Sequence, residues 1–396
     1  MSLTRIQTES NELLVDSGRK NSAPKKETSP TKLPGNPDRW FHFFPFILAL
    51  VLFLVTDCAI NYTRVGNFLD DKVDNILQRK LGNITKDNPA HIDILALGTS
   101  RTNNGFDTPD VERLASVPVN VYNMGLPGCN YYLMQLVLEG QIKKYGKPKL
   151  ILLEVTDFLL NNQFISDNNI LYFRTLLANQ PEMKDVIFKS PYLSDEDKKE
   201  IVFSSISGLY RYRSILAPDH LIKLVLKGKT QSNHFYEGWR PRKVSKDMAN
   251  PSSIIQSAKA RDREILGEFS KVDGSRLEHL LAYCAGQHIP VVMFEYPSHP
   301  SYQQIFDAKP VSRDYYHAIE QITARYHIPF VDLKSDLPAD ITGLFADTGH
   351  LSQAGAQYFA GKLDEKLFQL DTVRQLFPAN SKTDAGLATS QPVSPH

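Results

Sequence analysis

The chain is 396 residues long, 42% hydrophobic and 22% charged, a globular composition with room for one large domain or two modest ones. Its 45 Lys and Arg offset 44 Asp and Glu to a net charge of +1, so no basic excess is available to neutralise phosphates, and a nucleic-acid partner is excluded from the reading. Three scattered cysteines, Cys58, Cys129 and Cys284, are too few for a disulfide framework or a structural zinc site, and no repeat period is evident.

Residues 1–39 are polar, with prolines at 24, 30, 34 and 37, and read as a disordered leader that cannot bury enough apolar surface to order itself. The composition then flips. Residues 40–60 are almost continuously apolar, interrupted by His42 and Pro45 near the start, and 21 residues suffice to cross a hydrocarbon core of about 30 Å. The long polar leader and the lack of an A-x-A site favour an uncleaved membrane anchor over a signal peptide. Four basic residues precede the span (Lys25, Lys26, Lys32, Arg39) and two follow it (Arg64, Lys72). That bias predicts a cytoplasmic N-terminus and an extracytoplasmic domain. A linker over 61–90 would join the anchor to that domain.

From residue 91 short apolar runs alternate with helical patterns. Strands are predicted over 92–97, 119–122, 150–155, 289–296 and 328–332, and helices over 131–145, 277–285, 314–326 and 353–370. Near-continuous Val, Ile and Leu strands separated by helices indicate a parallel sheet covered on both faces, an α/β class spanning 91–377. Residues 158–270 are polar and lack a convincing strand, which predicts a largely helical insertion or lid. Its aromatics, Tyr210, Tyr212, Phe235, Tyr236 and Trp239, suit core packing by default and sugar stacking as the alternative. Residues 378–396 return to Ser, Thr, Pro and Ala and read as a loose tail.

Ligands in such sheets bind at the carboxyl ends of strands, and Gly98-Thr-Ser-Arg101 closes the first one. Ser100 there is a turn former by default and a nucleophile by position. No G-x-S-x-G elbow, phosphate loop or dinucleotide motif is present. The second signal is Phe345-Ala-Asp-Thr-Gly-His-Leu-Ser352 before the last helix. Asp347 and His350 are spaced so that the carboxylate reaches the Nδ1 proton while Nε2 faces outward as a general base. The same segment reads equally as a helix start, with Ser352 as cap and Asp347 as a solvated acid.

Taken together, G-x-S after the first strand, a Gly after the second, and D-x-x-H before the last helix resemble the SGNH/GDSL hydrolase superfamily over about residues 90–160 and 272–372. The resemblance implies a flavodoxin-like three-layer α/β/α fold with a parallel sheet of about five strands, with Ser100 as nucleophile, His350 as base and Asp347 as orienting acid. It implies an oxyanion hole from the backbone of Ser100 and Gly125. In the family's third block Asp157 matches the acid, but Thr156 stands where an Asn is usual, so that Thr156, Asn123 or a lid residue would supply the last donor. Gly-Thr-Ser in place of Gly-Asp-Ser is similar to the membrane-anchored extracytoplasmic branch, which includes the D-alanyl transfer protein and exopolysaccharide O-acetylation factors. Arg101 reads either as an anion contact or as the partner of a nearby acid, and His299 as a cleft residue or a surface one.

These readings predict an anchored serine esterase or O-acyltransferase working through an acyl-serine on an acylated glycan or cell-envelope polymer, with no metal and no cofactor. The expected partners are the bilayer, through residues 40–60, and a membrane-bound O-acyltransferase, the latter implied by the resemblance alone. The alternatives are a weak or inactive carbohydrate-binding or assembly subunit on the same fold, and a lipid esterase, which the polar insertion disfavours.

Overall fold

The computed structural model describes residues 38–62, 75–86, 92–160, 167–216, 238–266 and 271–378. The predicted leader up to residue 37, most of the linker, Phe235, Tyr236 and the tail from 379 lie outside the described residues. The chain divides into two units, Met1–Leu54 and Val55–His396. Helix α1 (Asp38–Tyr62) carries the apolar run, with Pro45 in its second turn. Its segment Phe43–Tyr62 has a mean hydropathy of 2.5 and is 6% buried, which no soluble core helix would tolerate. The helix is long and apolar enough to cross a bilayer, consistent with a single-pass anchor.

The larger unit is built on five parallel strands. After α2 (Ile76–Lys86) come β1 (Ile94–Gly98), α3 (Ser100–Gly105), α4 (Thr108–Leu114), β2 (Val121–Gly125), α5 (Tyr131–Tyr145) and β3 (Leu150–Glu154). The insertion contributes α6 (Asp167–Asn179), α7 (Asp195–Ile206) and α8 (Pro251–Leu266), with shorter turns between them. Then follow α9 (Ser275–Gly286), β4 (Val291–Glu295), α10 (Pro300–Asp307), α11 (Pro310–Tyr326), β5 (Phe330–Asp332), the ribbon β6 (Phe345–Asp347) and β7 (His350–Leu351), and α12 (Gln353–Leu367). The sheet order is β2-β1-β3-β4-β5, every pair parallel, so the order reverses between β1 and β3 and opens a crevice at their carboxyl ends.

Alternation along the strands divides the core. Leu95, Leu97, Tyr122, Met124, Ile151, Leu153 and Met293 face the layer of α5, α9 and α11. Ile94, Ala96, Val121, Leu150, Leu152, Val292 and Phe294 face the layer of α4 and α12. All residues of β1–β4 are buried, as a sheet covered on both faces requires. This is the flavodoxin-like three-layer α/β/α architecture.

β1 and β2 each begin two residues later than their hydrophobic pattern predicts. Asp93 explains the first shift: its carbonyl accepts from Lys149 and Leu150, and its carboxylate accepts the Asn120 N–H at 3.0 Å, so it pins the strand starts instead of joining them. β2 runs on through Asn123-Met-Gly125 because these residues pair with Ala96–Gly98 of β1. In the insertion the described residues are largely helical but not a detached subdomain. Tyr172, Phe173, Leu176 and Ile201 join the core on the α5 side of the sheet.

Candidate active site

At the end of β1 the chain turns through Thr99, extended at φ −97° and ψ −155°, whose hydroxyl accepts the Arg101 N–H at 3.2 Å and caps α3. Ser100 is therefore the first residue of that helix, placed beside the crevice. Glu154, fully buried at the end of β3, holds the turn from below. Its carboxylate accepts the Thr99 N–H and hydroxyl, both at 2.7 Å, and the Thr102 N–H and hydroxyl at 3.0 and 2.6 Å. Four hydrogen bonds to one carboxylate offset its desolvation and fix the residues on both sides of Ser100.

The partner groups come from the ribbon between β5 and α12. Asp347 and His350 are paired across it, and Gly349 N–H donates to Asp347 Oδ1 at 2.9 Å, closing the turn. His350 Nδ1 lies 2.8 and 3.0 Å from the two Asp347 oxygens, and its Nε2 lies 2.6 Å from Ser100 Oγ. A carboxylate can only accept, so the Nδ1 proton points to Asp347 and Nε2 is left to accept the Ser100 hydroxyl proton. Burial works against the Asp347 charge, but His350, Arg242 and the Gly349 N–H hold its carboxyl well below the usual carboxylate range. Burial pushes the His350 imidazole down to about 4, against the pull of Asp347 and with help from Arg261 and Arg242. It is thus neutral and able to accept a proton at pH 7. Ser352 does cap α12, accepting the Gly355 N–H at 3.1 Å, so the helix-start reading of this segment holds beside the acid–base one, but Asp347 is not a solvated acid.

The remaining predicted residues are brought near the site but tied up in bonds of the protein's own. Gly125 N–H donates to Asn123 Oδ1 at 2.9 Å, so it is not free for an oxyanion. The Thr156 hydroxyl donates to Asp157 at 2.8 Å and is likewise occupied. Asn123 gives its amide protons to the Thr102 and Phe106 carbonyls at 2.7 and 2.9 Å and ties α3 to β2. Asp157 accepts from Thr156, the Phe158 N–H and the Tyr302 hydroxyl, and pairs with buried Arg101 at 3.4 Å. Arg101 therefore takes the acid-partner role of its two predicted readings. Burial disfavours the Asp157 charge, but Arg101 and these hydrogen bonds keep its pKa below the ordinary value. His299 is the cap of α10: its Nδ1 accepts the Ser301 N–H at 3.2 Å, its backbone N–H reaches Thr348 O, and burial lowers its pKa.

A strap from the insertion, residues 238–245, crosses the site, and sequence reasoning missed it. Trp239 Nε1 donates to Asn104 O at 2.8 Å, Arg240 N–H to Asn103 O at 3.0 Å and Ser245 N–H to Ala346 O at 2.8 Å, while Arg242 O accepts from Gln353. Gly238 sits at φ 85°, where a Cβ would overlap the Asn123 carbonyl, so no other residue starts the strap easily. The strap thus joins α3, which carries Ser100, to the ribbon, which carries Asp347. Arg242 pairs with Asp347 at 2.9 Å. Of the insertion's aromatics, Tyr212 and Trp239 are buried packing residues, and Tyr210 donates to Glu200 at 2.6 Å. The signal that could have pointed to Glu154 is a lone charge closing an otherwise apolar strand, and for the strap the basic run 240–243.

No curated protein matches the sequence. Among solved structures, one from Bacteroides fragilis NCTC 9343, named provisionally as an acylhydrolase, is 11% identical. That match covers 72% of this chain and 87% of that one with a TM-score of 0.33, too slight a likeness to carry any argument about chemistry. The model of a family described as "Protein of unknown function (DUF1574)" matches residues 39–358, and the chain belongs to that family.

Proposed function

We propose that the protein is a membrane-anchored serine esterase or O-acyltransferase of the SGNH/GDSL type. The observation that carries this reading is the unbroken relay from Asp347 through His350 to Ser100, at 2.8 and 2.6 Å. Ser100 Oγ attacks an ester carbonyl as His350 Nε2 takes its proton, and Asp347 stabilises the imidazolium. The tetrahedral oxyanion turns to the Ser100 N–H, which has no partner among the described residues. Collapse breaks the bond to the alcohol, which leaves with the proton from His350. Water or a sugar hydroxyl then gives its proton to His350 and attacks the acyl-Ser100, which restores the serine. On this reading the bilayer is held through α1, the N-terminus is cytoplasmic, and the domain works outside on an acylated glycan or envelope polymer with a membrane O-acyltransferase as acyl source.

One observation favours a second reading, a weak or inactive carbohydrate-binding or assembly subunit: Gly125, Asn123 and Thr156 have spent the donors that the family pattern would aim at an oxyanion. A fluorophosphonate separates the two. The full chain in detergent is expected to gain one adduct by intact mass, with none on Ser100→Ala and a rate at least about 10³-fold lower on His350→Ala. A folded wild type that takes no adduct would decide for the binding subunit.

A further inference from the structure

Three arginines converge on the Ser100 relay, and two of them have carboxylate partners: Arg101 pairs with Asp157 and Arg242 with Asp347. Arg261, on α8 of the insertion, has none among the described residues. Its guanidinium lies over the Tyr302 ring, 5.4 Å from the centroid, and against Gly349, between Asp347 and His350, where a Cβ would overlap it. Its Nε is buried without a hydrogen-bond partner. The nearby carboxylates are already engaged: Asp347 by His350, Gly349 and Arg242, Asp157 by Thr156, Phe158, Tyr302 and Arg101. Burial and the like charge of Arg101 lower the Arg261 pKa in spite of the pull of Tyr302, Asp347 and Asp157, so nearby negative charge only partly offsets this cation. A guanidinium with no direct ion pair in a partly dry site gains most when an anion meets it, and its planar fork suits the paired oxygens of a carboxylate or phosphate.

We propose that Arg261 binds an anionic substituent, a carboxylate or a phosphate, on the alcohol side of the ester that Ser100 attacks, so that the substrate is an acylated anionic polymer or glycan. This rests on the esterase reading of Ser100. The guanidinium sits on the turn between Asp347 and His350, beside the residue that this reading makes the base. Arg101 and Arg242, their charges met within the protein, do not compete for the same anion.

The test compares 3-acetoxybenzoate with its methyl ester, a pair that differs in one carboxylate, on the full chain in detergent. The wild type is expected to favour the anionic ester by about tenfold in kcat/KM, one hydrogen-bonded charge pair's worth. Arg261→Gln is expected to bring that ratio close to one through KM, Arg261→Lys to keep part of it, and Arg263→Gln, an exposed position on the same helix, to keep all of it. A ratio near one in the wild type, or an unaltered ratio in Arg261→Gln, overturns the proposal. An equal fall in kcat on both esters overturns it too, because Arg261 then serves the transient oxyanion. Failure of the esterase reading is separate: Ser100 takes no fluorophosphonate. In that event inorganic phosphate decides the anion site, and it is expected to raise the Tm of the wild type and of Arg261→Lys but not of Arg261→Gln. An equal rise in all three overturns it.

Discussion

Ser100 and His350 meet at 2.6 Å but are held there by different means. Ser100 is locked from inside the sheet: one buried carboxylate, Glu154, ties the turn on both sides of it to the end of β3. His350 rides on a ribbon of five strand residues braced by the insertion, through Arg242, Ser245 and the guanidinium of Arg261, as well as by the His299 N–H on Thr348 O. Ser100 is thus fixed by the sheet, and His350 largely by a segment inserted between β3 and β4. Variants at the two supports should fail differently.

The largest difference is expected at Asp347. Asp347→Asn keeps the shape but gives His350 Nδ1 a partner that no longer fixes its proton, and turnover should fall by about 10²- to 10⁴-fold with little change in Tm. A Tm loss as large as the activity loss would break the comparison. On the scaffold side, Glu154→Ala leaves two N–H groups and two hydroxyls without acceptors in a buried place. It should cost about 3 kcal/mol in chemical denaturation and take activity down with the fold. The smallest effect belongs to Arg242→Gln. His350 is pushed down to about 4, first by burial and in part by Arg242, so loss of that charge raises its pKa. The neutral imidazole then protonates at a higher pH, and the acid limb of kcat/KM should move up from near pH 4, with turnover at pH 7 little altered. A limb that stays in place would mean that Arg242 acts through shape alone.

Much of this was legible from the sequence because local pattern and global structure agree. Five Val-, Ile- and Leu-rich runs became the five strands, and α5 fills its predicted span of 131–145. Ser100 and the Asp347–His350 pair stood out by position at a strand end and by spacing before a helix. The donors of the expected oxyanion hole were not legible, because whether Gly125 or Thr156 is free depends on Asn123 and Asp157, which no spacing reveals. The ribbon strands, of three and two residues, are too short to carry a period. Arg242 and Arg261 reach the site only through tertiary folding, from a polar insertion whose one local hint is the basic stretch at 240–243.

The strap also bears on the order of folding. The bonds from Trp239 and Arg240 to α3 close loops of more than 130 residues, whereas β1, β2 and β3 pair within the first part of the chain. Loop-closure entropy makes such distant contacts late ones. The pairing of β1, β2 and β3 is therefore expected to precede the docking of the strap on α3. On the reading proposed above, that order leaves Ser100 without its base until the domain is whole.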